Sequence, residues 1–315
     1  MNRLYRWLPV STADRRVRVL AWASLVSQTL IVGTGGAVRL TGSGLGCPTW
    51  PRCTEDSFVA TPEMGIHGIV EFGNRLLTFV LVIIAILAFL SILRLRRERP
   101  ELLRLTVALG LGIPAQAVIG GITVLTELNP WIVGLHFVVS AVLVALATVY
   151  VHRVYRGRTS GQLAVPVPLR QLALVTAVGA WVTVLIGIVV TGSGPHAGDG
   201  GAARNGLDSE LLQHWHSWPA YATFGLTLLL IVVAFRSGRA PMLRASIALL
   251  AVEGVQIAVG IAQARLGLPV ILVGVHMVLA CVLVAVVTLV VLTTKLTVAE
   301  AAERDAVVER EAVSA

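Results

Sequence analysis

Charged side chains are scarce in this chain. Only 13% of its 315 residues are Asp, Glu, Lys or Arg, whereas 56% are hydrophobic, and the mean hydropathy is +0.83. A soluble protein of this length could not bury so much apolar surface. Apolar runs of about 20 residues recur along the chain, which is the length of a helix that crosses a bilayer. Because a spanning segment must satisfy its backbone polar groups internally, the sequence predicts an all-α polytopic membrane protein.

Cysteine clusters and nucleotide-binding motifs are also lacking. The three cysteines form no group within the apolar runs, so no soft-metal site is predicted there. The chain contains neither a P-loop nor the glycine motif that binds dinucleotides. Arginines precede the first apolar run and no small-residue cleavage site follows a short one, so we expect no cleavable signal peptide.

The net charge of +8 comes almost entirely from arginine. Such a charge could indicate nucleic-acid binding, but the arginines are concentrated in alternate connectors, at 94–100, 152–158 and 235–239. The positive-inside rule explains this distribution by topology, so no nucleic-acid partner is predicted. The rule places these connectors and both termini in the cytoplasm, with the chain crossing the lipid bilayer of the cell membrane.

Eight membrane spans are predicted. They cover residues 17–38, 66–93, 102–124, 131–152, 170–190, 212–235, 243–264 and 269–294. The connectors that face outward are 39–65, 125–130, 191–211 and 265–268. The charged tail, residues 299–315, is expected to be a frayed cytoplasmic helix or disordered.

An internal repeat divides the spans into two units. The similar segments are QAVIGGITV (116–124) and QIAVGIAQA (256–264), VGLHFVVSAVLVAL (133–146) and VGVHMVLACVLVAV (273–286), and TGSG at 41–44 and 191–194. Because each unit has an even number of spans, both units have the same orientation. The predicted architecture is therefore two parallel four-helix repeats about a pseudo-twofold axis along the membrane normal. The N-terminal half is residues 1–155 and the C-terminal half is residues 156–298.

Four histidines lie a few residues inside even-numbered spans: His67, His136, His216 and His276. These spans all run inward, so we expect the imidazoles at similar depth, two in each half. Two imidazoles from facing helices can bind a haem iron as axial ligands. A proton path, an ion site or structural hydrogen bonding would also explain histidines in spans. His214 is an alternative ligand to His216.

The second span has a polar face. His67, Glu71, Asn74 and Arg75 follow i, i+4, i+7, i+8 spacing, so they share one side of a helix that must point into the bundle. Glu71 could be protonated, could move protons, or could form a pair with Arg75 that only fixes helix packing. Arg75 could instead meet a haem propionate.

The sixth span does not repeat this polar face. Residues 217–225, which follow His216, contain no acid and no arginine. This difference suggests one catalytic site and one electron-transfer site. Arg39, just beyond the first span, could neutralise a haem propionate or be an ordinary interfacial arginine.

The three cysteines have different settings. Cys47 and Cys53 lie in the first outer connector, on the oxidising side, where they could form a disulfide, a reversible redox pair or two free thiols. Cys281 in the last span is expected to be a small core residue.

Several segments resemble haem A synthases. They are GGAVRLTGSGLGCPTWPRC (35–53), EFGNRLLT (71–78), TGSGPHAGD (191–199) and the paired GLH (134–136) and GVH (274–276). The resemblance covers nearly the whole chain apart from the tail and is similar in form to actinobacterial members. It implies an oxidoreductase that converts the C8 methyl group of haem O to a formyl group, giving haem A for cytochrome oxidase. Successive hydroxylations would give an alcohol and then a gem-diol, which loses water to form the aldehyde.

The resemblance also implies residue roles. In that family two histidines of the C-terminal half hold a haem b, and they are matched here by His216 and His276. The N-terminal half receives haem O, and His136 matches one of its histidines. Glu71 matches a glutamate implicated in catalysis, which would shuttle protons or stabilise a cationic intermediate. The cysteine pair of the outer loop matches Cys47–Cys53.

One position departs from the family pattern. Many members read Glu-x-x-His-Arg on the second span, and here Asn74 stands where the histidine is expected. Asparagine is a poor haem ligand. Either His67, seven residues and roughly 10 Å nearer the outside, takes this role, or His136 binds the substrate haem alone.

The partners that the resemblance implies are haem O, a haem O synthase (protohaem farnesyltransferase) that delivers it, and an unidentified electron donor. A second copy of the chain is a further candidate partner. Two other function classes remain open, a transmembrane di-haem electron carrier of the b type and a transporter with histidine proton relays. A carrier would explain paired histidines but would not require Glu71 or the glycine-rich outer loop.

Overall fold

Nine α-helices make up most of the computed structural model, which describes residues 8–314. They are α1 (Arg15–Leu40), α2 (Gly65–Ile92), α3 (Pro100–Leu125), α4 (Pro130–Arg156), α5 (Val167–Ser193), α6 (Ser209–Arg236), α7 (Ala240–Arg265), α8 (Val270–Leu292) and α9 (Val298–Ser314). Single 3-10 turns extend α2 at both ends, over Pro62–Met64 and Leu93–Leu95.

Helices α1–α8 are long and apolar enough to cross a membrane. Each corresponds to one of the eight predicted spans, and the predicted and observed ends differ by no more than four residues. The prediction of a helical, multi-pass membrane protein is therefore confirmed.

Local capping signals begin several of these helices. Asp14, Asn129 and Asp208 each accept a hydrogen bond from a backbone N–H in the first turn of the helix that follows. Their short side-chain oxygens satisfy donors that have no partner within the helix. Proline opens α3 and α4 at Pro100 and Pro130, where the absent N–H removes no helical hydrogen bond.

The eight long helices pack as two rings of four. In the first ring, α1 contacts α2, α2 contacts α3, α3 contacts α4, and α4 contacts α1. Helices α5 to α8 make the same cycle of contacts. The rings meet where α4 packs on α5 and α8, and where α1 packs on α8.

Each ring has its own apolar core. Tyr150, Ile92 and Leu102 are fully buried in the core of the first ring. Leu230 and Leu249 are fully buried in the core of the second, to which α4 also contributes. These cores hold the helices at fixed positions, so polar side chains between them have defined neighbours.

Two short strands depart from the all-α prediction. β1 (Thr159–Leu163) follows α4 and pairs antiparallel with β2 (Lys295–Thr297), which follows α8. The pairing joins the connector between the two rings to the end of the last long helix.

The charged tail is helical as far as Ser314, in agreement with the first of the two alternatives, helix or disorder, predicted for residues 299–315. Thr297 and Glu300 form a capping box: the Thr297 N–H donates to Glu300 Oε2 at 2.8 Å, and the Glu300 N–H donates to Thr297 Oγ1 at 3.2 Å. Glu300 also pairs with Arg156 of α4 at 2.6 Å. The tail is therefore anchored at its start to the end of the first ring.

Candidate functional site

The connectors at one end of the bundle interlock. We call this end the loop end; it comprises residues 41–64, 126–129, 194–208 and 266–269. The Gly44 N–H donates to the Gly198 carbonyl at 2.8 Å, which joins the first connector to the third. The His196 ring contacts the Leu268 carbonyl at 2.9 Å, which joins the third connector to the fourth. The four candidate histidines all lie in helices that begin at this end.

Arg39 ties the same connectors together. Its Nε donates to the His196 carbonyl at 2.7 Å, and its Nη2 donates to the Thr191 carbonyl at 2.9 Å. These contacts give Arg39 a structural partner in the third connector. Its assignment to a haem propionate stays a prediction.

His216 and His276 face each other in the C-terminal ring. Their ring centroids are 6.2 Å apart and the ring planes are inclined by 76°. Glycines make room for both imidazoles: a Cβ on Gly187 would lie 2.8 Å from the His216 ring, and one on Gly260 would lie 3.3 Å from the His276 ring. His214 is exposed, so His216 is the histidine of α6 that the fold pairs with His276.

This pair fits a metal ion held between two imidazoles. If each ring binds one ion through a nitrogen about 2 Å away, the ring centroids lie roughly 6 Å apart. His216 contacts the Thr183 carbonyl through Nδ1 at 3.0 Å, as ligating histidines commonly do through their second nitrogen. His276 Nδ1 is buried without a hydrogen-bond partner among residues 8–314. The two side chains are therefore suited to hold a haem iron.

His136 has a setting similar to that of His276. A Cβ on Gly120 would lie 3.3 Å from the His136 ring, the same distance that separates a Cβ on Gly260 from His276. Gln116 Nε2 donates to the His136 carbonyl at 3.1 Å and to Ser140 Oγ at 2.5 Å. His136 Nδ1 is buried and has no hydrogen-bond partner in the described part of the chain.

His67 differs from the other three histidines. It is the third residue of α2, whereas His136 and His276 are each the seventh residue of their helices and His216 is the eighth. Its side chain is exposed, and Nδ1 contacts Ser43 Oγ at 2.9 Å. Within residues 8–314 no ring contact joins it to His136. His67 therefore lies nearer the start of its α-helix than the other three histidines, and the similar depth of the four imidazoles stays a prediction.

Asn74 is turned toward the neighbouring helix α1. Its Oδ1 accepts a hydrogen bond from Thr34 Oγ1 at 2.8 Å. It therefore lies against the first helix of its ring, just as His216 lies against the first helix of the other ring.

Glu71 and Arg75 form the predicted pair and also hold the outer loop. Arg75 Nη2 lies 2.6 Å from Glu71 Oε1, and Glu71 is only 5% exposed. Glu71 Oε2 accepts the Cys47 N–H at 2.6 Å. Arg75 also donates to the carbonyls of Cys47, Thr49 and Arg52 at 3.0–3.1 Å. The N–H groups of Arg75 therefore donate to the Glu71 carboxylate and to loop carbonyls. These contacts do not support the assignment of Arg75 to a haem propionate.

Cys47 and Cys53 are joined as a disulfide, which confirms that prediction among the three open states. Trp50, inside this short loop, packs on Gly121 of α3, where a Cβ would lie only 2.3 Å from the indole. A Cβ on Gly46 would lie 2.2 Å from the His67 carbonyl, so only glycine lets the loop approach α2 this closely. The disulfide loop is therefore packed directly over Glu71 and Arg75.

Sequence reasoning missed the partners of several site residues. Ser43 beside His67, Thr34 beside Asn74 and Thr183 beside His216 were not singled out. Ser43 belongs to the repeated TGSG segment, which was the available signal. The two threonines lie in apolar runs and carried no signal of their own.

Comparison with known proteins identifies the family of the chain. Residues 18–288 match the COX15-CtaA family, described as cytochrome oxidase assembly protein. The chain belongs to this family. The match includes both helical rings and every candidate site residue, so the geometry described above is that of a family member.

Curated relatives of this COX15-CtaA chain are named haem A synthase. The protein of Geobacillus thermodenitrificans is 32% identical over 119 residues, which is 38% of this chain and 37% of the relative. That of Geobacillus kaustophilus is 28% identical over 123 residues, 39% of this chain and 38% of the relative. That of Lysinibacillus sphaericus is 28% identical over 133 residues, 42% of this chain and 43% of the relative. The aligned segments span less than half the length of these relatives.

Proposed function

We propose that this protein is a haem A synthase, an oxidoreductase that converts the C8 methyl group of haem O to a formyl group. The observation that carries the proposal is the asymmetry of the two rings. One ring has a histidine pair alone, and the other has His136 together with the Glu71–Arg75 pair beneath a disulfide loop. The family membership and the names of the relatives support it.

The C-terminal ring would hold a resident haem b. His216 and His276 would bind the iron, with the Thr183 carbonyl orienting His216. When bound, this group supplies one-electron chemistry. The protein's part is to fix two imidazoles at the required separation and to surround them with apolar helices.

The N-terminal ring would receive haem O. His136, fixed through its backbone by Gln116, is the ligand we propose for the substrate iron. Asn74 contacts Thr34 of α1, and His216 contacts Thr183 of α5. Thr34 and Thr183 lie at nearly equivalent positions of the repeat marked by TGSG at 41–44 and 191–194, so the two contacts are at a similar level. Asn74 therefore stands where a second histidine would be expected. We propose that His136 binds the substrate without His67.

Glu71 is the proposed catalytic residue. Its carboxylate is buried, is held by Arg75 and the Cys47 N–H, and belongs to the ring that contains His136. In this position it would accept or return a proton as the methyl carbon is oxidised, or would stabilise positive charge that develops on the substrate. Arg75 would act as a positioning residue that fixes both Glu71 and the loop above it.

The membrane topology follows from the distribution of arginine. We propose that the loop end faces outward and that both termini lie in the cytoplasm of a cell whose plasma membrane holds the protein. The halves, residues 1–155 and 156–298, would be parallel repeats. The contacts between the rings support this. A twofold axis would exchange α1 with α5 and α4 with α8, so the α1–α8 contact would have α4–α5 as its equivalent and the α4–α8 contact would be its own equivalent. All three contacts are present.

The proposed partners are haem O, the haem O synthase that supplies it, an electron donor and a second copy of the chain. The resemblance to actinobacterial members also stays a prediction. The test of the central reaction requires a working electron donor but does not require that the donor be identified.

The experiment is haem extraction after expression with a haem O source, followed by chromatography. Wild-type protein is expected to yield haem A, and Glu71→Gln is expected to lower the yield by roughly 100-fold or more, the range of a general acid or base. If the wild-type protein with a working electron donor contains haem b and unchanged haem O only, the chain is an electron carrier and the proposal is wrong.

A further inference from the structure

Buried polar atoms form a stripe along α7. The α7 polar stripe consists of Ser246, Glu253, Gln256 and Gln263, whose spacings of seven, three and seven residues place them on one face of the helix. Each has a buried side-chain oxygen with no hydrogen-bond partner among residues 8–314. Gly260 lies on the same face and packs against the His276 ring, so the stripe passes the C-terminal histidine pair.

Glu253 is the titratable member of the stripe. It is 6% exposed, and its Oε1 accepts a hydrogen bond from Thr227 Oγ1 of α6 at 3.0 Å. Its Oε2 is buried and has no partner in the described part of the chain. No arginine or lysine is paired with it in that part, in contrast to Glu71 and Glu101. An ionisable group placed this way within a membrane span is costly to bury and indicates a function.

Packing does not require a carboxyl group at this position. Gln116 and Gly120 of the N-terminal ring correspond to Gln256 and Gly260, each 140 residues later. The same offset relates Glu253 to Ile113, which is 5% exposed. An apolar side chain therefore fills the equivalent site, and only the ring with the facing histidine pair has an acid there.

We propose that Glu253 is the redox-linked proton acceptor of the C-terminal haem site. This rests on the proposed function only in that His216 and His276 hold a haem. Glu253 is seven residues from Gly260, which packs on His276, and this is roughly 10 Å along the helix. When a one-electron donor reduces that site, the added negative charge raises the proton affinity of the Glu253 carboxylate, since charges interact over such a distance where little water screens them. Glu253 then takes up one proton and becomes a carboxylic acid, and oxidation by one electron releases the proton again.

The stripe extends in both directions from Glu253. Ser246 is fully buried two helical turns from Glu253, toward the end of α7 that begins at Ala240. Gln256 and Gln263 continue toward the loop end.

Other titratable groups are farther from the carboxyl or face elsewhere. Helices α6 and α8 pack on α7. Apart from Glu253, the nearest charged or titratable residues along these helices are His216, Tyr221 and Arg236 on α6, His276 and Cys281 on α8, and Arg244 and Arg265 on α7. Tyr221, six residues from Thr227, is 51% exposed. His216 and Arg236 are 11 and nine residues from Thr227, which is roughly 14–16 Å along the helix. Cys281 packs with Val32 and Val144 of the first ring.

The test is the pH dependence of the haem midpoint potential, measured by spectroelectrochemistry on the purified, haem-loaded full chain. The wild-type potential is expected to fall as pH rises across the neutral range, by up to about 59 mV per unit, because each unit is a tenfold change in proton activity for a one-electron couple. Glu253→Gln is expected to flatten this slope while the haem absorption spectrum stays unchanged.

Two further variants make the comparison specific. Glu101→Gln removes another buried acid, one that is paired with Arg99 at 2.6 Å, and should keep the wild-type slope. Glu253→Ile copies the side chain of the equivalent position, so it gives the same test if Glu253→Gln does not fold. A slope that is the same in wild type and both Glu253 variants, or a flat wild-type slope, overturns the proposal. Absence of haem absorption from wild-type protein would instead overturn the proposed function.

Discussion

Arg75 shows how single side chains connect sequence spacing to site geometry. Its i, i+4 relation to Glu71 predicts an ion pair on one helix face, and the pair is formed at 2.6 Å. The contacts of the same guanidinium with the carbonyls of Cys47, Thr49 and Arg52 could not be predicted. They depend on how a loop far away in sequence folds over α2, and helix periodicity contains no information about that.

The first residue-scale prediction concerns the planar shape of Arg75. Arg75→Lys keeps the charge but loses the fork that reaches Glu71 and several carbonyls at once. We expect haem A formation to fall about 10- to 100-fold, which corresponds to the roughly 1–3 kcal/mol typical of buried polar groups left without partners. Haem extraction measures the yield, and the visible spectrum measures the resident haem b, which should not change.

A matched control lies on the same loop. Arg52→Lys makes the same chemical change in a residue whose side chain is exposed and lies over Phe58. Its haem A yield is expected to equal that of wild type. Full activity of Arg75→Lys, or equal losses in both variants, would show that Arg75 does not position Glu71.

At the scale of helices, apolar length was sufficient to predict α1–α8, because a run of about 20 apolar residues can span a bilayer only as a helix. The composition of the tail left a frayed helix and disorder as alternatives. Thr297 and Glu300 have the spacing of a capping box that begins a helix, and a helix is formed. The β1–β2 pairing was also not predicted, because it joins short segments more than 130 residues apart.

The anchoring of α9 is expected to depend on pH. The Thr297 backbone N–H, the Thr297 hydroxyl and Arg156 hold the pKa of Glu300 below its ordinary value of 4.5, the backbone contact being the largest cause. A carboxyl group whose folded pKa is lowered contributes stability above its unfolded pKa, and that contribution is lost as pH falls through the folded value. Acidification below about pH 4.5 should therefore release the start of α9.

Hydrogen exchange at the amides of Val298–Ala301 measures this release. Wild-type protein is expected to show protection at neutral pH that disappears in acid. Glu300→Gln should show at both neutral and acid pH the weak protection that wild-type protein shows in acid. Glu303→Gln, which changes an exposed acid on the same helix, should behave as wild type. Protection that is independent of pH in wild-type protein would contradict the role of Glu300.

At the scale of the whole molecule, the repeat explains why the chain has two similar rings and the site explains why they differ. Repeated segments predicted the duplication of helix pairs. The structure adds a Gly–His contact that recurs in both rings, at Gly120–His136 and Gly260–His276. The differences reside in single residues. Glu71 and Asn74 distinguish one ring, and Glu253 distinguishes the other, so sequence similarity between the halves does not imply similar chemistry.

The contact between His67 and the loop end shows the limit of prediction from span boundaries. An apolar run defines a helix to within a few residues, but one turn of error moves a side chain by about 5 Å. His67 lies in the first turn of α2 and contacts Ser43 of the loop end, whereas Asn74 lies two turns deeper. The helix could therefore be predicted from its apolar length, whereas the contact of His67 with the loop end could not.

The central claim is that the two rings hold different haems for different purposes. It is tested most directly by the haem content of His136→Ala and His276→Ala proteins, each expressed with a haem O source and extracted for chromatography, with His67→Ala as the matched control. We expect His136→Ala to keep haem b but lose haem O and haem A, His276→Ala to lose haem b, and His67→Ala to match wild type. If His136→Ala and His276→Ala lose the same haem, or if His136→Ala still forms haem A at the wild-type level, the claim is wrong.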